Sequence, residues 1–358
     1  MPNLVDYVMW RGDLSFIQAP FCEVDGAVLS AASYFDYDII IDDDELHLPT
    51  NYKRVITDYI ELDGDDIDIK LGLIFPTQKY VSLMKLLMRY PRFGDVEISD
   101  FVNEANNEYC YQFCAMTFHL NDGSLAVVFR GTDDTVVGWK EDFCLSYMDE
   151  IPSQKLSVDY IEFIAEKYPD KPIHVCGHSK GGNLAVYSTV MSSKNVQDRI
   201  VKAYCYDGPG LSYSNAETEA YKEMSSRICT FLPQASTIGT IFNNGSFRVV
   251  KSKGASAYQH DILNWEVRGQ RFLKLKELTR SSQKSLDGFK DKMSLMSAKE
   301  KENFIKLLFD AIDKTGARTL MDLNESRMTN LSTFVKSIGS LSKDEKDLMA
   351  QITKKLFK

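Results

Sequence analysis

No stretch of about eighteen apolar residues occurs anywhere in the 358-residue chain, so a membrane-spanning helix is not expected. Met1 to Phe16 holds Asp6 and Asp13 among its apolar residues. It lacks a basic start followed by an unbroken apolar run and does not read as a secretory leader. A basic excess is missing too. Lys and Arg number 42 against 51 Asp and Glu, and the formal charge of −9 argues against an extended nucleic-acid footprint. Cysteines are few and odd in number: seven, at 22, 110, 114, 144, 176, 205 and 229, mostly inside apolar, strand-like stretches. Cys110 and Cys114 have no second Cys or His pair nearby to complete a zinc site. Reduced core thiols and a cytoplasmic location are therefore expected. The acidic stretch from Asp36 to Asp68 fails as a calcium loop. Counted from Asp63, the positions that need Gly and Glu hold Asp68 and Ile74, which leaves a solvated acidic face. No metal or cofactor is called for, and there is no internal repeat or low-complexity linker.

What is present is ample apolar material, 44% of the residues, enough for one large domain or one domain with a smaller appendage. The first hundred residues show little pattern. Val81 to Met88 then has helical spacing, with Thr77 as a cap. Phe113 to Leu120 and Ser124 to Phe129 are strand-like and joined by Asn121-Asp122-Gly123, a hairpin turn. An amphipathic stretch from Ser157 to Tyr168 presents Ile161, Phe163, Ile164 and Ala165. Further strand-like runs, Ile173 to Cys176, Val201 to Tyr206, Ile228 to Leu232 and Phe247 to Val250, alternate with helical segments. That order predicts an α/β fold with a mostly parallel sheet. Beyond about Leu273 the strand signal ends, and helical periodicity takes over. The expected division is a sheet domain over 1–272 and a helical tail or cap over 273–358.

Val175-Cys176-Gly177-His178-Ser179-Lys180-Gly181-Gly182-Asn183 has the form G-x-S-x-G between a short strand and a helix. A serine on so sharp a turn needs small residues two positions either side, and the following helix N-terminus brings free N–H groups and a positive dipole to its oxygen. Ser179 is thus the candidate nucleophile. Of the five histidines, His47, His119 and His174 precede it and His178 lies within the turn, its ring expected to aim away. Only His260 follows, in a loop after the last strand-like run, where a general base should project. Asp207, after Ala203-Tyr204-Cys205-Tyr206 and before Gly208-Pro209-Gly210, is the candidate acid; the other reading is a carboxylate capping that turn. A tetrahedral intermediate needs two donors. The N–H of Lys180 is one, and Thr132, in the turn after Leu125 to Phe129, is the other candidate, its hydroxyl reinforcing its N–H. Arg130 is expected to pair with a carboxylate such as Asp142.

Phe129-Arg130-Gly131-Thr132, then Trp139 and Asp142, then Gly177-His178-Ser179 and, one residue on, Gly181-Gly182, resembles the class 3 (fungal-type) lipase family. More closely it is similar to a bacterial family of class 3 lipase-like proteins. That family has a Gly-His-Ser-Lys-Gly-Gly-Asn elbow, an Asp-Gly-Pro-Gly turn and a Gln-His pair followed by Trp, here Trp265. The resemblance implies an α/β-hydrolase fold, a Ser-Asp-His triad and an ester or lipid-like small-molecule substrate. Two positions depart from it. Class 3 lipases place their acid one strand later, and here that place holds Ser236. Either Asp207 has taken over, or the triad is incomplete and the fold binds an acylated ligand or protein partner without turnover. Lys180 stands where such lipases carry Leu. It either binds a substrate carboxylate or phosphate, or pairs with Glu141 or Asp142 or stretches into solvent. Within an enzyme reading, thioesterase or peptidase chemistry uses the same machinery.

Overall fold

The computed structural model describes residues 1–35, 37–39, 47–63, 77–319, 321–322 and 327–357. Most of the stretch tested as a calcium loop lies outside them. Eight strands, β1 (Thr50–Asn51), β2 (Glu97–Asn106), β3 (Tyr111–His119), β4 (Leu125–Phe129), β5 (Ile173–His178), β6 (Ile200–Tyr206), β7 (Ile228–Pro233) and β8 (Phe247–Val250), lie side by side in chain order. An edge strand, Lys274–Leu275, brings the sheet to nine strands. β1 to β4 are antiparallel, β4 to β8 are parallel, and the edge strand returns antiparallel on β8.

The apolar runs explain this arrangement, because parallel strands are buried on both faces. Along β4, Leu125, Val127 and Phe129 enter one core and Ala126 and Val128 the other; along β6, Ala203 and Cys205 oppose Tyr204 and Tyr206. The first face is covered by helices Pro152–Lys167 and Lys180–Met191, through Ile161, Ile164, Ala165, Leu184 and Ala185. Phe163, expected on that apolar face, is instead 46% exposed. Its position in the helix turns it outward, between Ile161 and Ile164, which are fully buried.

The poorly patterned N-terminal hundred residues supply the second layer. Helices Glu23–Ala32 and Thr77–Arg89 pack Val24, Val28, Leu83 and Leu87 with Met116, Val128 and Tyr206 of the sheet. A buried fork organises this layer. Arg92 donates from Nε and Nη2 to the two oxygens of Asp25, each at 2.7 Å, and from Nη1 to the carbonyls of Leu14 and Ala19. Past the sheet come helices Arg280–Ser294, Ala298–Asp313, Arg327–Gly339 and Lys343–Phe357. The edge strand shows that β structure extends slightly beyond the expected limit at Leu273. Ile305 and Phe309 of this helical region pack on Val136. No described helix is long and apolar enough to cross a membrane.

Truncating Ile164 to Ala should cost about 2–5 kcal/mol through lost burial and the cavity left behind. Phe163→Ala should shift stability by only about 0.5 kcal/mol. Urea unfolding midpoints at constant slope read the difference, and equal losses would contradict the helix orientation.

Candidate active site

β5 runs straight into Ser179, whose φ of 57° and ψ of −131° are strained for a serine, and the helix Lys180–Met191 starts at the next residue. The turn closes because the helix passes hard against the strands. A Cβ on Gly177 would lie 2.0 Å from the Gly181 carbonyl oxygen, and one on Gly181 would lie 2.1 Å from the Phe129 oxygen. Only glycine fits at either place.

His178 points into the protein. Its Nε2 lies 2.8 Å from the carbonyl oxygen of His260, so that nitrogen carries the proton and donates; Nδ1 then accepts from the Tyr34 hydroxyl at 3.0 Å. Burial drives its pKa well below the usual histidine value and keeps the ring neutral. The other three excluded histidines also have local surroundings of their own. His119 contacts the Ser99 hydroxyl, His174 stacks on Phe21, and His47 is exposed.

His260 Nδ1 lies 2.7 Å from Asp207 Oδ2. Asp207 ends β6 with a positive φ of 48° and is fully buried. Its other oxygen, Oδ1, accepts from the Ser236 hydroxyl at 2.5 Å and from the Gly239 N–H at 3.2 Å. The residue standing where an acid was expected therefore hydrogen-bonds the carboxylate one strand away. These bonds run to the segment after β7 and to the His260 loop rather than to the Gly208-Pro209-Gly210 turn. The His260 loop is itself pinned. The Trp265 indole donates to the Gln259 carbonyl at 2.8 Å, and the Gln259 side chain accepts from the Ala235 N–H at 2.9 Å and donates to the Gly254 carbonyl at 2.8 Å.

Thr132 donates its hydroxyl to Asp142 Oδ2 at 2.6 Å, so that hydroxyl serves to anchor the loop. Arg130 pairs with a carboxylate, as expected; it is Asp133, three residues on in the same turn, at 3.3 Å, and Arg130 also donates to Asn103 at 2.7 Å. Lys180 is 1% exposed at its side chain. Its ammonium donates to the Gln112 carbonyl at 2.7 Å, the Gln112 side-chain oxygen at 3.1 Å and Glu141 Oε2 at 2.9 Å. Those bonds use all three of its hydrogens, so of the roles open to it the structure has the ion pair with Glu141. Glu141 also receives the Ser153 N–H on Oε1 and the Gln112 N–H on Oε2, a partner set that motif reading had missed.

Ser179, His260, Thr132 and Lys180 line one cavity of about 380 Å³. Its other walls are mostly apolar: Trp139 and Phe143 from helix Val136–Cys144, Ile238 and Phe242 after β7, and Phe304 and Ile352 from the C-terminal helices. Asp142 also lines it, its carboxyl pushed up to about 6 by burial, against the pull of Lys180 and the Thr132 hydrogen bond.

A sequential mixed sheet, parallel over β4 to β8, with helices on both faces and a serine on the strand-to-helix turn defines an α/β-hydrolase fold. The Mbeg1-like family model matches residues 87–310, and the chain belongs to that family. No curated protein matches its sequence. Among solved structures it is similar to the M37 lipase, at 14% identity and a TM-score of 0.40, covering 62% of this chain and 70% of that one. It is also similar to a mutant form of MDLA from Penicillium cyclopium, at 12% and 0.37, covering 63% and 78%. Lipase II from Rhizopus niveus gives 14% and 0.35, covering 58% and 84%.

Because the Asp142 carboxyl is raised from 3.8 to about 6, the native state retains a proton across that window that the unfolded chain releases. Its contribution to stability therefore falls as pH rises through the window. Asp142→Asn escapes this fall. The melting temperature of the variant relative to wild type should climb from about pH 4 to about pH 6 and level off above. A difference that stays flat over that range would contradict the raised value.

Proposed function

We propose that this protein is a serine hydrolase of the lipase or esterase type, cleaving a carboxylic ester through a Ser179-His260-Asp207 triad and an acyl-enzyme. The observation that carries the reading is the 2.7 Å contact between Asp207 Oδ2 and His260 Nδ1, with Ser179 and His260 on one cavity. Asp207 holds the Nδ1–H tautomer, which leaves Nε2 as the base. Ser179 Oγ attacks the acyl carbon while His260 takes its proton. The N–H groups of Thr132 and Lys180 stabilise the oxyanion, and His260 returns the proton to the leaving alcohol. Water then repeats the sequence on the acyl-enzyme. The mostly apolar cavity walls support a lipid-like acyl group, and the walls drawn from Phe304 and Ile352 support reading 273–358 as a helical subdomain that roofs the site. Seven free thiols support a reducing, cytoplasmic setting.

Labelling by a fluorophosphonate probe tests this. Ser179→Ala should abolish labelling, and His260→Ala and Asp207→Asn should slow it by on the order of 10³ to 10⁴-fold. Ester and thioester panels then sort the acyl substrate. A folded wild type that neither labels nor turns over any of these would leave the cavity as a binding site without catalysis.

A further inference from the structure

We infer that the buried Lys180–Glu141 ion pair is a clamp that positions the two oxyanion donors relative to each other, an inference that rests on the proposed hydrolase reading. Each donor is linked to one half of the pair. The first donor is the backbone N–H of Lys180 itself, the residue after the nucleophile. The second is the N–H of Thr132, whose hydroxyl is tied at 2.6 Å to Asp142, and Asp142 is the direct chain neighbour of Glu141. The 2.9 Å contact from Lys180 Nζ to Glu141 Oε2 thus closes a short loop running from one donor to the other: Lys180, Glu141, Asp142, Thr132.

The pair is also fastened from behind. Glu141 accepts from the Gln112 N–H at 3.1 Å and the Ser153 N–H at 2.9 Å, while Lys180 donates to the Gln112 carbonyl at 2.7 Å. The β3 strand, the start of helix Pro152–Lys167, helix Val136–Cys144 and the elbow helix therefore meet at two side chains, which are 1% and 0% exposed.

Stability is a poor reason to place charges there. Burying each ion is costly, and well-packed apolar replacements of a buried pair are commonly neutral or stabilising. Directional bonding is what the pair offers over an apolar contact. Every hydrogen of the ammonium is committed, and both carboxylate oxygens are engaged. Oxyanion donors need that precision, because a misplacement of about 1 Å can cost on the order of 10²-fold in rate. Lys180 and Glu141 act here as positioning residues; neither side chain touches the reacting atoms.

The test compares wild type with the double variant Lys180→Met/Glu141→Leu and with the single variant Glu141→Gln. Turnover of a chromogenic medium-chain ester, inhibition by an alkyl boronic acid, binding of the matching alkyl alcohol and thermal unfolding are measured on each. The double variant leaves the Ser153 and Gln112 N–H groups without their acceptor and should melt below wild type, yet where it folds the clamp predicts KM and alkyl-alcohol affinity within about 3-fold of wild type. Its kcat and its boronate affinity should each fall by on the order of 10²-fold. Glu141→Gln keeps an acceptor for Lys180 and should show the same kcat-selective loss at on the order of 10-fold; it also covers the case in which the double variant does not fold. A folded variant with kcat and boronate affinity within about 3-fold of wild type would overturn the clamp while leaving the hydrolase reading intact. A wild type without turnover or labelling at Ser179 overturns both.

Discussion

The site depends on how closely the helix Lys180–Met191 approaches the strands it leaves. Because backbone meets backbone at Gly177, Gly181 and Phe129, the chain has one way to turn there, and Ser179 is held at φ 57° at the tip of that turn. The energy of such strain is of order 1–3 kcal/mol and is sustained by surrounding packing. That packing is the two-faced core. Leu184 and Ala185 bury the helix on one side of the sheet, and Cys176, between the elbow and the strand body, points to the other. The same contact fixes His178 beneath the turn, where its neutral ring joins Tyr34 to the carbonyl of His260. Elbow and base loop are thereby held together by one hydrogen-bonded imidazole.

The proposed acid illustrates how a role can move within a fold. An imidazolium needs a carboxylate at Nδ1, but the geometry fixes only where the oxygen must be, not which strand delivers it. Here the end of β6 delivers it, and the segment after β7 contributes the Ser236 hydroxyl and the Gly239 N–H to the far oxygen. A fully buried carboxylate would be costly alone; three donors make it tolerable and fix its rotation. Ser236 thus supports the Asp207 carboxylate, the proposed acid, from the place where the acid was expected.

Much of the central sheet was readable from sequence because continuous apolar runs, β4 to β8, encode burial on both faces. The elbow was readable because few sequences satisfy its steric demands. Of the N-terminal layer, the helix Thr77–Arg89 was readable from its apolar spacing; the rest was not, since its order comes from long-range partners such as Arg92 with Asp25, 67 residues apart in the chain. β2 was missed for a related reason. Glu97–Asn106 is polar along much of its length, bulges between Ser99 and Val102, and pairs on β3 through backbone. Phe163 misled the periodicity because one aromatic at the margin of an apolar stripe weighs as much as a buried one. Glu141 was among the partners the sequence offered Lys180; Gln112, 68 residues away, lay beyond any local pattern.

A lysine next to a nucleophile in a mostly apolar cavity looks contradictory until its atoms are considered separately. The backbone amide is the part assigned to the oxyanion, while the ammonium is carried away to Gln112 and Glu141. Charge is therefore neutralised behind the wall. Asp142 is the partial exception. Its carboxyl lines the cavity, and an ionised group there would oppose a developing oxyanion. Burial raises its pKa towards neutrality while the Lys180 charge and the Thr132 hydroxyl hold it down, so the two carboxylates of this helix are balanced against a single ammonium. On the proposed reading, the electrostatics of the oxyanion site are then set less by the residues that face the cavity than by the buried row directly beneath them.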